Sequence, residues 1–346
     1  SLRPYMRSPW NQRSLEILIV DDATVNASAE VHDGRDCIRI NRGAIEQLYG
    51  TIMGMLSLPS FLPAIGNVAV ETAPLSLPGG VFAPIPLVSH VSIPAQNASV
   101  MFPNNRIRVA AADVLVQVAL EFSLYHEIGH IVAGHLEIIQ ADKGICSLTE
   151  FQQAASDSAS VDRSHVLECD ADAFAGHILA AVHTDATTAD ILRSTLEVAA
   201  SRSHDLALVT YLAGVGILFR MLYPCAPRSI RSCDSSHPHP AVRACLVAST
   251  AAARALFAGR ATELSLESAM QESVGNIEDI WARFCLPGQT PSSAPEWAKE
   301  VGGGANALFR AWLVARSDLV RFARIPRRWD DWQLPADLEA SPPHPS

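Results

Sequence analysis

The segment FSLYHEIGHIVAGHLEII, residues 122–139, places two histidines and a glutamate inside an otherwise apolar run. If this run is a helix, side chains four residues apart lie on one face, so His126 and His130 could bind the same metal ion. Glu127 would project beside them, where its carboxylate could act on a water molecule at the metal. The spacing therefore predicts a zinc site that activates water. The alternative is an interior helix with a few hydrogen-bonded polar groups.

A catalytic zinc site needs a third protein ligand. In one arrangement a glycine follows the second histidine by three residues and a third histidine comes three residues later. This chain has Ala133 and Leu136 at those positions, which excludes that arrangement. His135 comes one residue early and would lie on another side of a continuous helix. We therefore expect an ordinary role for His135, such as a hydrogen bond or a loop contact.

A second segment, HVLECDADAFAGHILAAVH at residues 165–183, offers the missing ligand. Glu168 and Asp172 lie four residues apart on an otherwise apolar helix, where burying unpaired carboxylates would be costly. A metal bond for Glu168 would explain one of them. A hydrogen bond to Asp172 from the outer N–H of a ligand histidine would explain the other. The alternative is an acidic, solvent-facing stripe that includes Asp170.

Together, HEIGHIVAGH and ECDADAFA resemble the gluzincin metallopeptidases. The similarity is greatest to the prenyl-protein-processing and heat-shock membrane peptidases and their soluble relatives, whose second motif has the form E-x-x-A-D-x-x-A. Phage-exclusion peptidases with an HE-x-x-H-x-x-x-G-H helix are also similar. The resemblance implies one Zn²⁺ bound by His126, His130 and Glu168. It also implies Glu127 as the general base and Asp172 as a supporting residue.

A third segment, SSHPHPAVRAC, resembles the H-P-x-x-x-x-R segment of the same family. The resemblance implies that His237 faces the substrate and stabilises the oxyanion, and that Arg243 supports the site. The pair His239 and Pro240 offers a competing register.

DCIRINRGAIEQLYG, residues 36–50, is similar to a strand and helix that precede the zinc helix in the family. The resemblance implies that a peptide substrate lies along residues 36–41 and pairs with them through backbone hydrogen bonds. Arg39 and Asn41 are then candidate substrate-binding residues. LPGG at residues 77–80 is a competing match.

Hydrophobic periodicity predicts the elements that must position these residues. The fold class expected is α+β and mainly helical: a zincin-like metallopeptidase domain with a small β-sheet and an HExxH helix. A long helical stretch from Arg106 to about residue 141 is expected to break before Phe122. Strands are predicted at 15–20 and 36–41, and helices at about 42–57, 165–183, 186–201, 204–223 and from 241. The predicted division is an N-terminal arm at 1–14, a peptidase domain at 15–285 with a Pro/Gly-rich insertion at 59–104, and a C-terminal helical extension with a disordered tail at 286–346.

Composition limits the possible partners. The net charge is -10 and the 346-residue chain is 49% hydrophobic, so clustered phosphate contacts, and with them nucleic acid, are not expected. Seven cysteines without regular spacing indicate reduced thiols. The apolar stretch from Leu206 to Phe219 is shorter than the roughly 20 residues of a spanning helix, so we expect a core helix. The expected partners are a protein or peptide substrate and a regulatory partner. The expected location is cytoplasmic, with membrane association as the less favoured alternative.

Other functions remain open from the sequence alone. One is a catalytically silent, peptidase-like binding or regulatory domain. Another is an all-helical protein whose histidines are core groups. A third is a structural zinc site, and its candidate ligands are Cys225, Cys233, His237, His239 and Cys245.

Overall fold

The computed structural model describes most of the chain as one mainly helical body with a small sheet. The residues described are 13–71, 102–143, 147–149, 158–183, 185–197, 203–222, 238–257, 263–285 and 294–324. The strands are β1 (Leu15–Val20), β2 (Ala27–His32), β3 (Arg35–Asn41) and β4 (Ser147–Thr149). The α-helices are α1 (Arg42–Leu56), α2 (Arg106–Ala133), α3 (His135–Lys143), α4 (Ser158–His183), α5 (Ala186–Leu196), α6 (Ser203–Leu222), α7 (Pro240–Phe257), α8 (Glu263–Met270), α9 (Asn276–Cys285) and α10 (Ala294–Phe322). A π-helical turn, Gln271–Gly275, joins α8 to α9.

The sheet has the strand order β1-β3-β2-β4, with β1 parallel to β3 and the other pairs antiparallel. Asp33 and Gly34 connect β2 to β3, and both have positive φ. This is the backbone twist that a two-residue hairpin needs, and Asp-Gly is well suited to it. One face of β2 and β3 packs on α2 through an apolar cluster that includes Ile38 and Ile131. The sheet therefore covers the C-terminal part of the helix that carries the HExxH sequence.

The predicted break before Phe122 is wrong, because α2 continues through that position to Ala133. The side chain of Asn105 caps its first turn by accepting hydrogen bonds from the backbone of Ile107 and Arg108. The helix ends at Gly134, which adopts the left-handed conformation at φ 74°. No proline interrupts the 28 residues between these two signals, so the helix stays continuous.

The apolar segment Leu206–Phe219 forms most of α6 and is buried along its whole length. It packs against α2, α5 and α7, as expected for a core helix. None of the described helices combines the length and the apolar character that crossing a membrane would require.

Helix α10, within the predicted C-terminal extension, packs against α4 and α7. At its end, Arg324 is fully buried and forms ion pairs with Asp36 of β3 and Glu137 of α3. Its backbone N–H also donates to the Val132 carbonyl near the end of α2. Arg324 therefore joins the sheet to α2 and α3 near Gly134.

Arg108 holds the loop after α1 against α2. Its guanidinium is fully buried and donates to five backbone carbonyls. These belong to Leu56, Leu58, Phe61, Leu62 and Ile65. Burial lowers the pKa of Arg108, and the nearby Glu71 carboxylate opposes that shift.

Replacing Arg108 with leucine should lower the free energy of unfolding by about 3–5 kcal/mol, because it leaves buried carbonyls without their donor and removes the cation beside the Glu71 carboxylate. Chemical denaturation would measure this. Arg106→Leu is the control, since Arg106 lies on the same helix with 88% of its side chain exposed, and it should change stability by less than about 0.5 kcal/mol. Equal effects of the two substitutions would contradict this account of Arg108.

Candidate metal centre

The site lies where α2 and α4 approach most closely. Gly129 of α2 faces Ala171 of α4, and a Cβ on Gly129 would lie 3.1 Å from the Ala171 Cα. This small pair allows the two backbones to come close together. The approach brings Glu168, one turn before Asp172 on α4, within reach of both histidines of the HExxH sequence.

The three residues proposed as ligands converge. Among the described residues, one donor atom from each of His126, His130 and Glu168 lies within 4.8 Å of the others. The two Nε2 atoms are 3.0 Å apart. Glu168 oxygens lie 3.4 Å from the His126 Nε2 and 3.5 Å from the His130 Nε2. Two donors in a tetrahedral zinc site with bonds of roughly 2.0–2.1 Å are separated by roughly 3.3 Å, so these spacings suit one such ion.

Asp172 and Arg243 surround the ligands on the α4 side. An Asp172 oxygen lies 2.9 Å from the outer nitrogen, Nδ1, of His126. Arg243 of α7 donates two hydrogen bonds to Asp172, of 2.7 and 2.8 Å, and its guanidinium is 3.3 Å from Glu168. All of these side chains are buried. The Arg243 guanidinium therefore offsets part of the charge of two carboxylates that would otherwise be costly to bury.

The outer nitrogen of His130 faces His135, for which the sequence predicts only an ordinary hydrogen bond or loop contact. The two Nδ1 atoms are 2.9 Å apart. The other nitrogen of His135 is 3.0 Å from Asp170, and the Trp312 indole donates to Asp170 at 2.9 Å. Asp170 is buried, which argues against the alternative of an acidic, solvent-facing stripe.

Gly134 explains how His135 reaches the site. In a continuous helix His135 would lie on a different side from His130, but the left-handed Gly134 ends α2 and redirects the chain. A Cβ at Gly134 would also lie 2.1 Å from the Phe322 carbonyl oxygen. Both the backbone conformation and this close approach require glycine.

The hydrogen-bonding pattern tests whether these residues suit a cation. When His126 is a neutral imidazole and its Nδ1 proton faces Asp172, its Nε2 carries a lone pair. That lone pair points toward His130 Nε2 and the Glu168 carboxylate. Three electron-rich atoms meeting in one buried place are unfavourable without a positive charge between them. The donor set therefore fits a divalent metal, and two imidazoles with one carboxylate are typical of catalytic zinc.

Burial lowers the pKa of His130 well below its ordinary value of 6.5; the charge of Glu168 opposes this shift, and nearby His126 and Arg243 reinforce it. Burial alone would raise the pKa of Glu168, but its hydrogen bond with His126, the neighbouring imidazoles and the Arg243 guanidinium lower it well below the usual range. The site thus favours a neutral imidazole beside an ionised carboxylate, which are the protonation states that bind metals.

The metal-free protein should lose stability on acidification. His130 is neutral when folded, whereas the unfolded chain binds a proton below about pH 6.5. Because protons then bind only to the unfolded chain, the free energy of unfolding is highest above that pH. It falls as the pH drops toward the folded-state pKa, by up to about 1.4 kcal/mol per pH unit. Denaturation at pH 7.5 and 5.5 would measure it. His130→Gln should show a smaller loss, and equal losses would contradict this role for His130.

The remaining residues predicted for the two zinc sites lie in different places. Glu127 is buried on α2 beside His126. His237 lies outside the described residues, as do Cys225 and Cys233 of the alternative zinc site. The ring of His239 is buried, and its Nδ1 accepts a hydrogen bond from the backbone N–H of Ala241.

The predicted pairing of a substrate with residues 36–41 is wrong. Strand β3 lies inside the sheet, and both of its edges are already paired, with β1 and with β2. Arg39 donates a hydrogen bond to Glu30, and the Asn41 side chain donates to Thr24. A contact of the Arg39 and Asn41 side chains with substrate stays a prediction. It no longer has the support of backbone pairing with the substrate.

Comparison with known families gives one match. Residues 85–252 match the family model described as Peptidase U49, which indicates a peptidase family. The matched range covers slightly less than half of the chain and includes the HExxH sequence, Glu168, Asp172 and Arg243. No curated protein and no solved structure matches the chain.

Proposed function

We propose that this protein is a zinc-dependent endopeptidase with a zincin-like catalytic domain of the gluzincin type, acting on a protein or peptide substrate. The observation that carries the proposal is the convergence of His126, His130 and Glu168 within 4.8 Å of one another. Thirty-seven positions separate the second histidine from the glutamate, so the helix spacing alone does not produce this cluster. The match to a peptidase family supports a hydrolytic use of the site.

The roles of the residues follow from their chemistry. His126, His130 and Glu168 would hold a zinc ion, which when bound polarises a carbonyl group and acidifies water. Glu127 would take a proton from the attacking water and deliver it to the leaving amine as the peptide bond breaks. His237 is the proposed donor to the oxyanion.

Arg243 and Asp172 act on the ligands rather than on the substrate. Arg243 stabilises the ionised forms of Glu168 and Asp172, which it contacts directly. Asp172 orients the His126 ring through its outer nitrogen. Such outer partners set ligand geometry and basicity in metal sites.

Metal removal tests the proposal directly. The purified protein should contain one zinc ion and should cleave members of a peptide library, with new termini mapped by mass spectrometry. A chelator should abolish cleavage, and one equivalent of Zn²⁺ should restore it. Cleavage that persists in fully metal-free protein would refute zinc dependence. Zinc binding without any cleavage would instead favour the catalytically silent binding domain.

A further inference from the structure

We propose that His135, Asp170 and Trp312 are positioning residues for His130. They hold its ring in the tautomer that carries the proton on Nδ1, so that Nε2 presents a lone pair to the metal site. The proposal rests on the metal-binding part of the proposed function. It adds that α10, which lies outside the range matched by the peptidase family, helps to determine how tightly the metal is bound.

The chain of hydrogen bonds has a direction that begins at Trp312. An indole nitrogen can only donate, and Trp312 Nε1 donates to Asp170 Oδ1 at 2.9 Å. The other oxygen, Oδ2, lies 3.0 Å from His135 Nε2. An ionised carboxylate can only accept, so the proton of this second bond belongs to His135 Nε2.

The tautomer of His135 in turn determines the tautomer of His130. With its proton on Nε2, a neutral His135 has a lone pair on Nδ1. This atom lies 2.9 Å from His130 Nδ1, so His130 must supply the proton between them. A neutral His130 that is protonated at Nδ1 has a lone pair at Nε2, the nitrogen that lies 3.0 Å from His126 Nε2.

Burial makes this arrangement effective. His135, Asp170 and Trp312 are almost completely shielded from solvent, so water is poorly placed to replace one of these bonds. The indole of Trp312 also stacks on Phe309 of the same helix, with ring centroids 5.5 Å apart. Because α10 places the Trp312 indole at Oδ1 of Asp170, His135 makes its hydrogen bond with Oδ2.

The reverse tautomer would block the site. If Asp170 were replaced by asparagine, the indole of Trp312 would still require the amide oxygen as its acceptor. The amide NH₂ would then face His135 Nε2 and drive the His135 proton to Nδ1. His130 would have to accept there, and its own proton would move to Nε2, directly into the metal site.

Substitutions at Asp170 and Trp312 distinguish a positioning role from a purely structural one. Asp170→Asn should weaken zinc affinity by about 10–100-fold, measured by competition with a chromophoric chelator. Adding Trp312→Phe removes the donor that fixes the amide orientation, so the double variant should bind zinc more tightly than Asp170→Asn alone. A double variant that binds more weakly than Asp170→Asn, or an Asp170→Asn protein with unchanged affinity, would overturn the proposal.

Two control variants separate this effect from general loss of packing. His183→Gln breaks a partly buried histidine–carboxylate pair between α4 and α2, the 2.8 Å contact with Glu121. Trp281→Phe removes an indole N–H from a buried tryptophan on α9. Both should leave zinc affinity unchanged. A loss in either as large as that in Asp170→Asn would contradict a specific role for the three residues.

The tautomers can also be read in wild-type protein without metal, so the test does not depend on the folding of a variant. Histidine-ring ¹H–¹⁵N spectra should show the His130 proton on Nδ1 and the His135 proton on Nε2. A His135 ring protonated at Nδ1 would overturn the proposal. If wild-type protein binds no zinc but shows the expected tautomers, the proposed function fails while the hydrogen-bond direction stands.

Discussion

Glu127→Gln should abolish peptide hydrolysis while one zinc ion remains bound. The amide has nearly the shape of the carboxylate but cannot take a proton from water at neutral pH. General acid–base groups contribute typically about 10²–10⁴-fold to rate, and we expect a loss in kcat at the upper end of that range. Turnover of a mapped peptide and zinc content by elemental analysis would be measured on the same sample.

Glu121→Gln provides the matched control for Glu127→Gln. It makes the same chemical change on α2, at a glutamate whose side chain is 33% exposed and pairs with His183. Its activity should stay at the wild-type level. Wild-type turnover in Glu127→Gln would show that another group takes the proton, whereas loss of zinc would show that Glu127 acts mainly on the metal geometry.

Glu168→Ala should lose the metal and, with it, all activity. The substitution removes one of three ligands and leaves His126 and His130 to hold the ion alone. The loss of zinc affinity should exceed the roughly 10–100-fold that removal of an outer hydrogen-bond partner costs. Competition with a chelator would measure it, and added Zn²⁺ at moderate concentration should fail to restore cleavage.

Glu278→Ala is the matched control for the loss of a buried, ion-paired glutamate. Glu278 is buried and lies 3.2 Å from Arg220, which is also buried. Its removal should lower stability, because Arg220 keeps its charge in the interior, but zinc content should remain at one ion. If Glu168→Ala keeps wild-type zinc affinity, the metal is held elsewhere and the proposed site is wrong.

Glu168→Ala acts within an ionic cluster that Arg243 of α7 completes. Arg243 contacts Glu168 and Asp172 together, so Glu168→Ala leaves the guanidinium with Asp172. A thiol is not expected to replace the missing ligand. Cys169, the neighbour of Glu168, has its pKa raised well above the ordinary value by burial and by the charges of Asp172 and Asp170. It therefore stays protonated at neutral pH.

Local patterns in the sequence were enough to place most of the elements and the first two candidate ligands. The i, i+4 spacing of His126 and His130 puts them on one face wherever the segment is helical, and α2 is a continuous helix there. The same rule relates Glu168 to Asp172 on α4. Strand β2 was missed, although Asp33-Gly34 is a strong local signal for the hairpin that pairs it with β3.

Three features were decided by the folded structure, because none of them follows from the local spacing of side chains. Strand β3 reads as an ordinary alternating strand, and only its pairing on both edges shows that a peptide has no access to its backbone. His135 reaches His130 because Gly134 turns the chain. Trp312, 142 residues after Asp170, meets it only because α10 packs on α4.

The sequence by itself thus determined which side chains could bind a metal, since helical periodicity is a local property of the backbone. It did not determine the close approach of α2 and α4, which needs the contact between Gly129 and Ala171. Nor did it determine the proposed proton positions around His130, because these depend on buried donors and acceptors drawn from four helices. Local spacing thus indicates which side chains are candidate ligands, whereas their orientation depends on contacts in the packed interior.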